Sequence, residues 1–600
     1  MAYRIEKNQN SGQPEIVIDG FEQGIADSSY EGIADIRNIN IVTAPKQANV
    51  MFANTAVTLP PSGYTGVAFS SDSGTDVFTV ASTTGFYNGM ALTIVTVSGA
   101  GSGTAGQTYY VGNITPTTFK LYDDLLLTTV LDVTDNRTGT FTVYTFGTPV
   151  DSASDYDYNG PAISPASLNA SPSNTFVLTS EGYVWFLRPI ANTGTGGIVA
   201  MHTLQFLGNL THSTSAGTPG IAVWNGYLFA FMSSKIDYLS INYILTGRPS
   251  SGWVMGWQDT TGIFLGHRAI PATDDALYFC NNTTVGSILV NAGSSFNPAN
   301  AGTYTYNTSA LKLPAYDKAV CLAQLGTNLL VGGVKNFVYP WDRVSTSYTY
   351  PLILPENYVK CIVSTNSNAY IFAGYKGRIY ITNGANIEEY KELPGSLSGT
   401  VEPYYTWRWG LYWRNQLYFT FTATTNSGTA IDTFNGLWAI DLESKSFRFT
   451  NMLSTGTYAG SIPTIIPMGQ PKPTGDGIYS CWVSGATTGI DYTSGTPYTD
   501  YQAYIDTDII PVGTYLTKTT FSNIEYKLAK PLVSGEGVKL YQRSNLTDSF
   551  VEIGEDTTVG NISYPFTMNF ENVQWLQIRA MLKSTATTPS YVPLLELRIR

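Results

Sequence analysis

The sequence is short of charge, nearly without histidine and sparing with cysteine. Asp, Glu, Lys and Arg make up 13% of its 600 residues, far from the charge-rich, weakly hydrophobic composition that keeps a chain disordered. The three histidines, His202, His212 and His267, show no His-x-x-x-His spacing. No Gly-x-Ser-x-Gly elbow or Gly-x-x-x-x-Gly-Lys-Ser/Thr loop accompanies them, which argues against zinc, serine-hydrolase and P-loop chemistry. Cys280, Cys321, Cys361 and Cys481 sit singly in apolar runs. With no Cys-x-x-Cys pair, neither a metal site nor a disulfide framework is expected, but buried thiols of a protein made in a reducing cytoplasm. No apolar run nears the roughly 20 residues that span a bilayer, and the first residues lack the apolar core of a secretory signal. No run of a dozen residues has helical periodicity; the best candidate, Tyr30 to Ile41, is interrupted by Gly32 and has room for a turn or two. Basic patches are scarce as well: 32 basic against 44 acidic residues give a net charge of −12. That balance speaks against gripping duplex DNA, and it fits both simple solubility and a surface past which a polyanion slides.

What the chain does have is 43% apolar residues, 57 Gly, 41 Tyr and 11 Trp, with Thr, Ser, Asn and Gly between the apolar runs. This composition predicts an all-β protein of many strands and turns. A polar or Gly-containing turn followed by an apolar, Tyr-rich strand recurs, with strands opening at Tyr183, Tyr227, Leu277, Leu329, Tyr370, Leu417 and Ile478. The steps between these positions are 44, 50, 52, 41, 47 and 61 residues, most of them the length of a four-stranded propeller blade. Short apolar strands precede several of the turns, and Cys321 and Cys361 fall at nearly the same phase of the repeat. A sheet apolar on both faces needs a partner for each face, and stacking blades around an axis supplies both. The expectation is a β-propeller of six to eight blades, best seven, over residues 151–505, with stacked β-sandwiches as the alternative. Around it, residues 1–58 read as an N-terminal lead-in segment. Residues 59–150 read as an inserted small β-barrel or immunoglobulin-like domain, and 506–600, where apolar and polar residues alternate, as a jelly-roll-like β-sandwich.

Catalytic constellations are weak. Ser70-Ser-Asp-Ser-Gly-Thr begins like the turn that marks sialidase propellers, but it occurs once and lacks the closing Trp; Trp341-Asp342 is a single dipeptide of the WD kind. Carboxylates at Asp274-Asp275, Glu388-Glu389 and Asp506/Asp508 could in principle form a glycosidase pair, though loop carboxylates are usually just solvated. The densest aromatic cluster is Tyr404, Tyr405, Trp407, Trp409, Tyr412 and Trp413. Such a cluster either stacks on sugars or packs between blades. No catalytic residue, metal or cofactor is expected.

Three features resemble the tail nozzle or tail-stabilisation proteins of short-tailed bacteriophages. They are the stretch from Ile16 to Asn40, the insert with Thr84-Gly-Phe-Tyr-Asn-Gly89, Tyr109-Tyr-Val and Thr118-Phe-Lys-Leu-Tyr122, and the order of domains over nearly the whole chain. The resemblance implies a virion protein, made in the host bacterial cytoplasm, that forms a homo-oligomeric ring, usually a hexamer. Such a ring would dock on a tube or adaptor protein, hold fibres, and pass DNA without sequence-specific binding. The competing expectations are a receptor- or glycan-binding tail protein and a glycan-degrading tail enzyme.

Overall fold

The computed structural model describes residues 3–600 except 8–13, 20, 22–32, 38, 41–46, 51, 61–64, 100, 126, 154–174, 195–196, 211–219, 233, 261–269, 274, 394–402, 432–433, 452–459, 468–477, 513–518, 546–547 and 586–591. Among the described residues, strands dominate and helix is limited to short pieces such as Ile241–Thr246. Where Tyr30 to Ile41 left room for a turn or two of helix, Ile33–Arg37 is strand, because its residues complete a sheet supplied from elsewhere in the chain.

Six four-stranded antiparallel sheets, and four strands of a larger sheet that supply blade 6, form the seven blades of the propeller. Their innermost strands are, in blade order, Pro149–Ala153, Gly220–Trp224, Ile270–Thr273, Ala319–Leu325, Val359–Ser364, Tyr404–Trp413 and Ser461–Pro467. Each packs against the next, and the seventh returns to the first, so the ring is closed. Six of the seven repeat landmarks fall on the second strand of their blade. The landmark at Tyr183 falls instead on the third strand of blade 1, Tyr183–Gly194, whose second strand is Thr175–Thr179. The Glu181-Gly182 hairpin, with Gly182 at φ +82°, imitates the repeat one strand late.

Blade 7 takes only three strands from its own region. Its outermost strand is Phe52–Ala56, which pairs antiparallel with Thr487–Pro497. An N-terminal strand thereby fastens the ring. Residues 1–58 are accordingly no separate lead-in segment. Tyr3–Lys7 and Pro14–Ile18 join Leu594–Ile599, Thr519–Leu528 and Ser563–Val573 in one sheet of the C-terminal sandwich. In the other sheet, Ile33–Arg37 sits between the outer strand of blade 6, Phe447–Asn451, and Ala503–Thr507. The sandwich therefore begins near residue 503 and draws on both ends of the chain. Its two inner faces share one core, with Ile16, Ile524, Leu597 and Ile599 on one side and Ile505, Val538, Ile578 and Leu582 on the other.

That shared sheet makes the propeller and the sandwich continuous. Its junction holds a buried ion pair, Arg37 Nε to Asp35 Oδ2 at 2.8 Å. Tyr504 Oη donates to the same carboxylate oxygen at 3.1 Å, and the Arg37 guanidinium lies 4.9 Å from the centre of the Phe449 ring in blade 6. One rung further, Arg579 grips Asp506 with two bonds of 2.6 Å.

The insert is a closed six-stranded barrel, Val67–Asp72 to Arg137–Val143, with no immunoglobulin-like sandwich. Phe69, Phe78, Phe119 and Phe141 fill it. It rests on the outer strand of blade 1, Gly197–Asn209, where Tyr87 Oη donates to Leu204 O at 3.0 Å and Gln205 Nε2 to Leu125 O at 3.0 Å.

Candidate functional site

Blades 5 and 6 carry the aromatic cluster, and strand alternation decides what becomes of it. Tyr405 and Trp407 are buried against blade 5, packing with Cys361, Val363 and Phe372, and Trp407 Nε1 donates to Ala373 O at 3.2 Å. Trp409 is buried on the opposite face, with Ile462, Ile465 and Trp482 of blade 7. Residues two apart on a regular strand share a face. Here the ladder slips between Trp407 and Trp409, and the bulge sends the two indoles to different neighbours. Tyr412 is partly exposed, and the Trp413 ring lies 5.6 Å from the Arg414 guanidinium. Most of the cluster is therefore the cement between blades rather than one platform. Tyr404 and Tyr412 are the exceptions, 51% and 37% exposed, with Tyr404 at the start of its strand.

Tyr404 borders a cleft of ≈ 550 Å³ that also involves Glu356, Tyr375, Lys376, Arg378 and Glu392. The cleft lies between blades 5 and 6, on the propeller face that carries the connections from one blade to the next. Glu356 builds its floor. One carboxylate oxygen accepts from the backbone N–H of Tyr375 at 3.1 Å and of Lys376 at 3.2 Å, and the other accepts from Tyr380 Oη at 2.8 Å. Burial and the Glu356 carboxylate push the Tyr380 hydroxyl well above its ordinary pKa. Blade 4 repeats the device. Asp317 accepts from the Lys335 N–H at 2.9 Å and from Tyr339 Oη at 2.7 Å, so an acid before the first strand locks the turn that leads to the third.

The rim of the cleft is aromatic. Tyr375 lies 5.6 Å from Tyr358 and 6.0 Å from Tyr404, centre to centre. Tyr358 adopts φ +66°, uncommon and costly for an aromatic residue. Its backbone is held there by Tyr358 N–H to Val334 O at 2.9 Å and Gly374 N–H to Tyr358 O at 3.2 Å. Arg378 lies 3.5 Å from both Glu389 and Glu392; burial opposes its charge, and Glu392 and Glu389 outweigh that. An aromatic rim over alternating charged groups can stack on a sugar ring and hydrogen-bond its hydroxyls.

The remaining expectations sort as follows. Asp506 belongs to the Arg579 clamp and Glu389 to the Arg378 pair, so both serve ion pairs. Asp72 closes a turn of the barrel, accepting from Gly74 N–H and Thr75 Oγ1 at 2.9 Å each. Asp342 caps a turn through Val344 N–H at 2.9 Å and Ser345 N–H at 2.8 Å. His202 lies on the strand Gly197–Asn209, while His212, His267 and Asp274 fall outside the described residues. All four cysteines are buried, and none is in a disulfide. Glu356, Tyr358, Tyr375 and Arg378 were absent from the sequence-derived candidates. The only hint in the sequence was an acid followed by a tyrosine at similar distance, 22 residues for Asp317–Tyr339 and 24 for Glu356–Tyr380.

No family model matches the chain, and no curated protein matches it. Among solved structures, the β-propeller domain of Cps50 (Swd1) from Myceliophteria thermophila is similar with a TM-score of 0.36 and 9% identity, covering 58% of this chain and 98% of that one. The computationally designed Ika8 protein is similar with a TM-score of 0.32 and 10% identity, covering 58% of this chain and 96% of that one. The class defined by the sheet connectivity is a seven-bladed β-propeller that carries a barrel and a two-sheet sandwich.

Proposed function

We propose that this chain is a structural protein of a bacteriophage tail, one wedge of a homo-oligomeric ring, hexameric by resemblance, at the distal end of the tail. In this reading the ring docks on a tube or adaptor protein, holds fibres, and lets DNA pass without binding its sequence. The observation that carries the proposal is the continuity of the body. The N-terminal strands run into the sandwich and then into blade 7, and one sheet bridges blade 6 and the sandwich. A subunit that must transmit load between neighbours gains from having no hinge between its parts, and such rigid wedges close into rings about an axis. Imaging of native particles, with mass photometry of the purified chain, tests it. A ring of copies on the tail is expected, and a monomer absent from particles would overturn the proposal.

A second reading has its own support in the exposed Tyr404 and Tyr358 beside the blade 5–6 cleft. On it, the propeller face holds host glycans. Glycan-array binding that disappears in Tyr404→Ala, with Tm unchanged, would favour this reading, and no binding on the array would remove it.

A further inference from the structure

The bulge that separates Trp407 from Trp409 recurs around the ring. In six blades the pairing of the innermost strand slips near its start, between Pro149 and Asp151, Pro271 and Thr273, Ala319 and Cys321, Val359 and Cys361, Trp407 and Trp409, and Ser461 and Thr464. In blade 5 the consequence is the same as in blade 6. Val359 packs with blade 4, beside Cys321 and Leu330, whereas Cys361 packs with blade 6, beside Tyr405 and Trp407. In blades 5 and 6 the residue at the slip therefore lies between neighbours committed to opposite faces. On an innermost strand the one direction left to it is the axis. In blades 5 and 6 these residues are Lys360 and Arg408.

Two cations thus hold the same bulge position on the innermost strands of adjacent blades. Lys360 is half-buried and Arg408 only partly exposed. Neither has a carboxylate within ion-pair distance among the described residues. The nearest partner of the Lys360 ammonium is the Tyr358 ring, at 5.6 Å. Burial lowers the pKa of both groups, and the Arg408 charge lowers that of Lys360 further. In a chain this poor in charge, two like charges on neighbouring strands, with no carboxylate at ion-pair distance among the described residues, suit an anion.

We propose that Lys360 and Arg408 form an axial oxyanion site that takes a multivalent phosphate-type anion. Arg408 would offer a planar fork to two oxygens and Lys360 a point charge to a third. This proposal stands apart from the tail and glycan readings.

Calorimetric titration of the full chain with inorganic pyrophosphate, against sodium chloride at matched ionic strength, tests it. Saturable binding is expected in the wild type. An at least tenfold loss is expected in Lys360→Met and in Arg408→Met, retention in Lys360→Arg, and no change in Lys312→Met, an exposed cation elsewhere. In buffer free of multivalent anions, Lys360→Met should melt at or above the wild-type Tm, since it removes a repulsion. A citrate arm separates a preference for phosphate oxygens from one for carboxylates: weaker citrate binding supports the proposal, and tighter citrate binding overturns the phosphate assignment. The proposal also fails if the wild type shows no binding beyond the chloride control, or if both methionine variants bind as the wild type does.

Discussion

At the residue scale, several side chains spend their chemistry on geometry. Glu356 uses both carboxylate oxygens to fix a turn and a tyrosine. Tyr380→Phe should cost about 1–3 kcal/mol in urea unfolding, because a part-buried carboxylate oxygen loses its donor. Asp556 in the sandwich gives a pH signature. Burial raises its pKa, but the donors Asn561 Nδ2 and Thr558 N–H, each at 2.8 Å, together with Tyr526 Oη, outweigh that and hold it below the ordinary carboxylate value. A depressed folded-state value contributes stability that is present above the unfolded value, roughly pH 4, and lost as pH falls through the folded value. Asn561→Ala should therefore be less stable than wild type by about 1 kcal/mol at pH 7, with the gap narrowing below pH 4 in paired urea titrations. The cysteines give a third check. Burial pushes the Cys280 and Cys481 thiols well above their ordinary pKa. No thiol should react with a chromogenic disulfide in the native protein, and four should react in denaturant.

At the scale of elements, the sequence was legible wherever structure is local. The Asn225-Gly226 and Glu181-Gly182 hairpins, the shared phase of Cys321 and Cys361, and five of the six barrel strands all follow from turn chemistry and apolar runs a few residues long. What could not be read is pairing across hundreds of residues. Phe-Ala-Asn-Thr-Ala at 52–56 has little strand propensity and becomes a strand because Thr487–Pro497 offers an open edge. The aromatic cluster was legible as a cluster but not as a site, since the slip at Arg408 decides which ring faces which blade. The fastening strand can be tested. Val57 N–H donates to Ile490 O at 2.7 Å, and the N–H of Thr55, two residues earlier, points the same way. Thr55→Pro should remove a rung and cost about 3 kcal/mol or more. Proteolysis should then cut blade 7 first, whereas Thr55→Ser should behave as wild type.

At the scale of the molecule, the continuous sheet predicts that propeller and sandwich unfold together. The Asp35–Arg37 pair is where they should come apart. Arg37→Met strands a buried carboxylate, for a loss of about 3–5 kcal/mol, and should split one calorimetric transition into two. Replacing both partners, Asp35→Leu with Arg37→Met, should restore most of the loss. A split that persists in the double variant would mean that the strand pairing, rather than the ion pair, holds the junction.

The most direct test of the whole account is electron cryo-microscopy of native phage particles at a resolution that traces strands. The account predicts a ring of copies of this chain on the distal tail, each a seven-bladed propeller whose last blade is completed by residues 52–56. Particles without the chain, or a propeller closed without that strand, would contradict it.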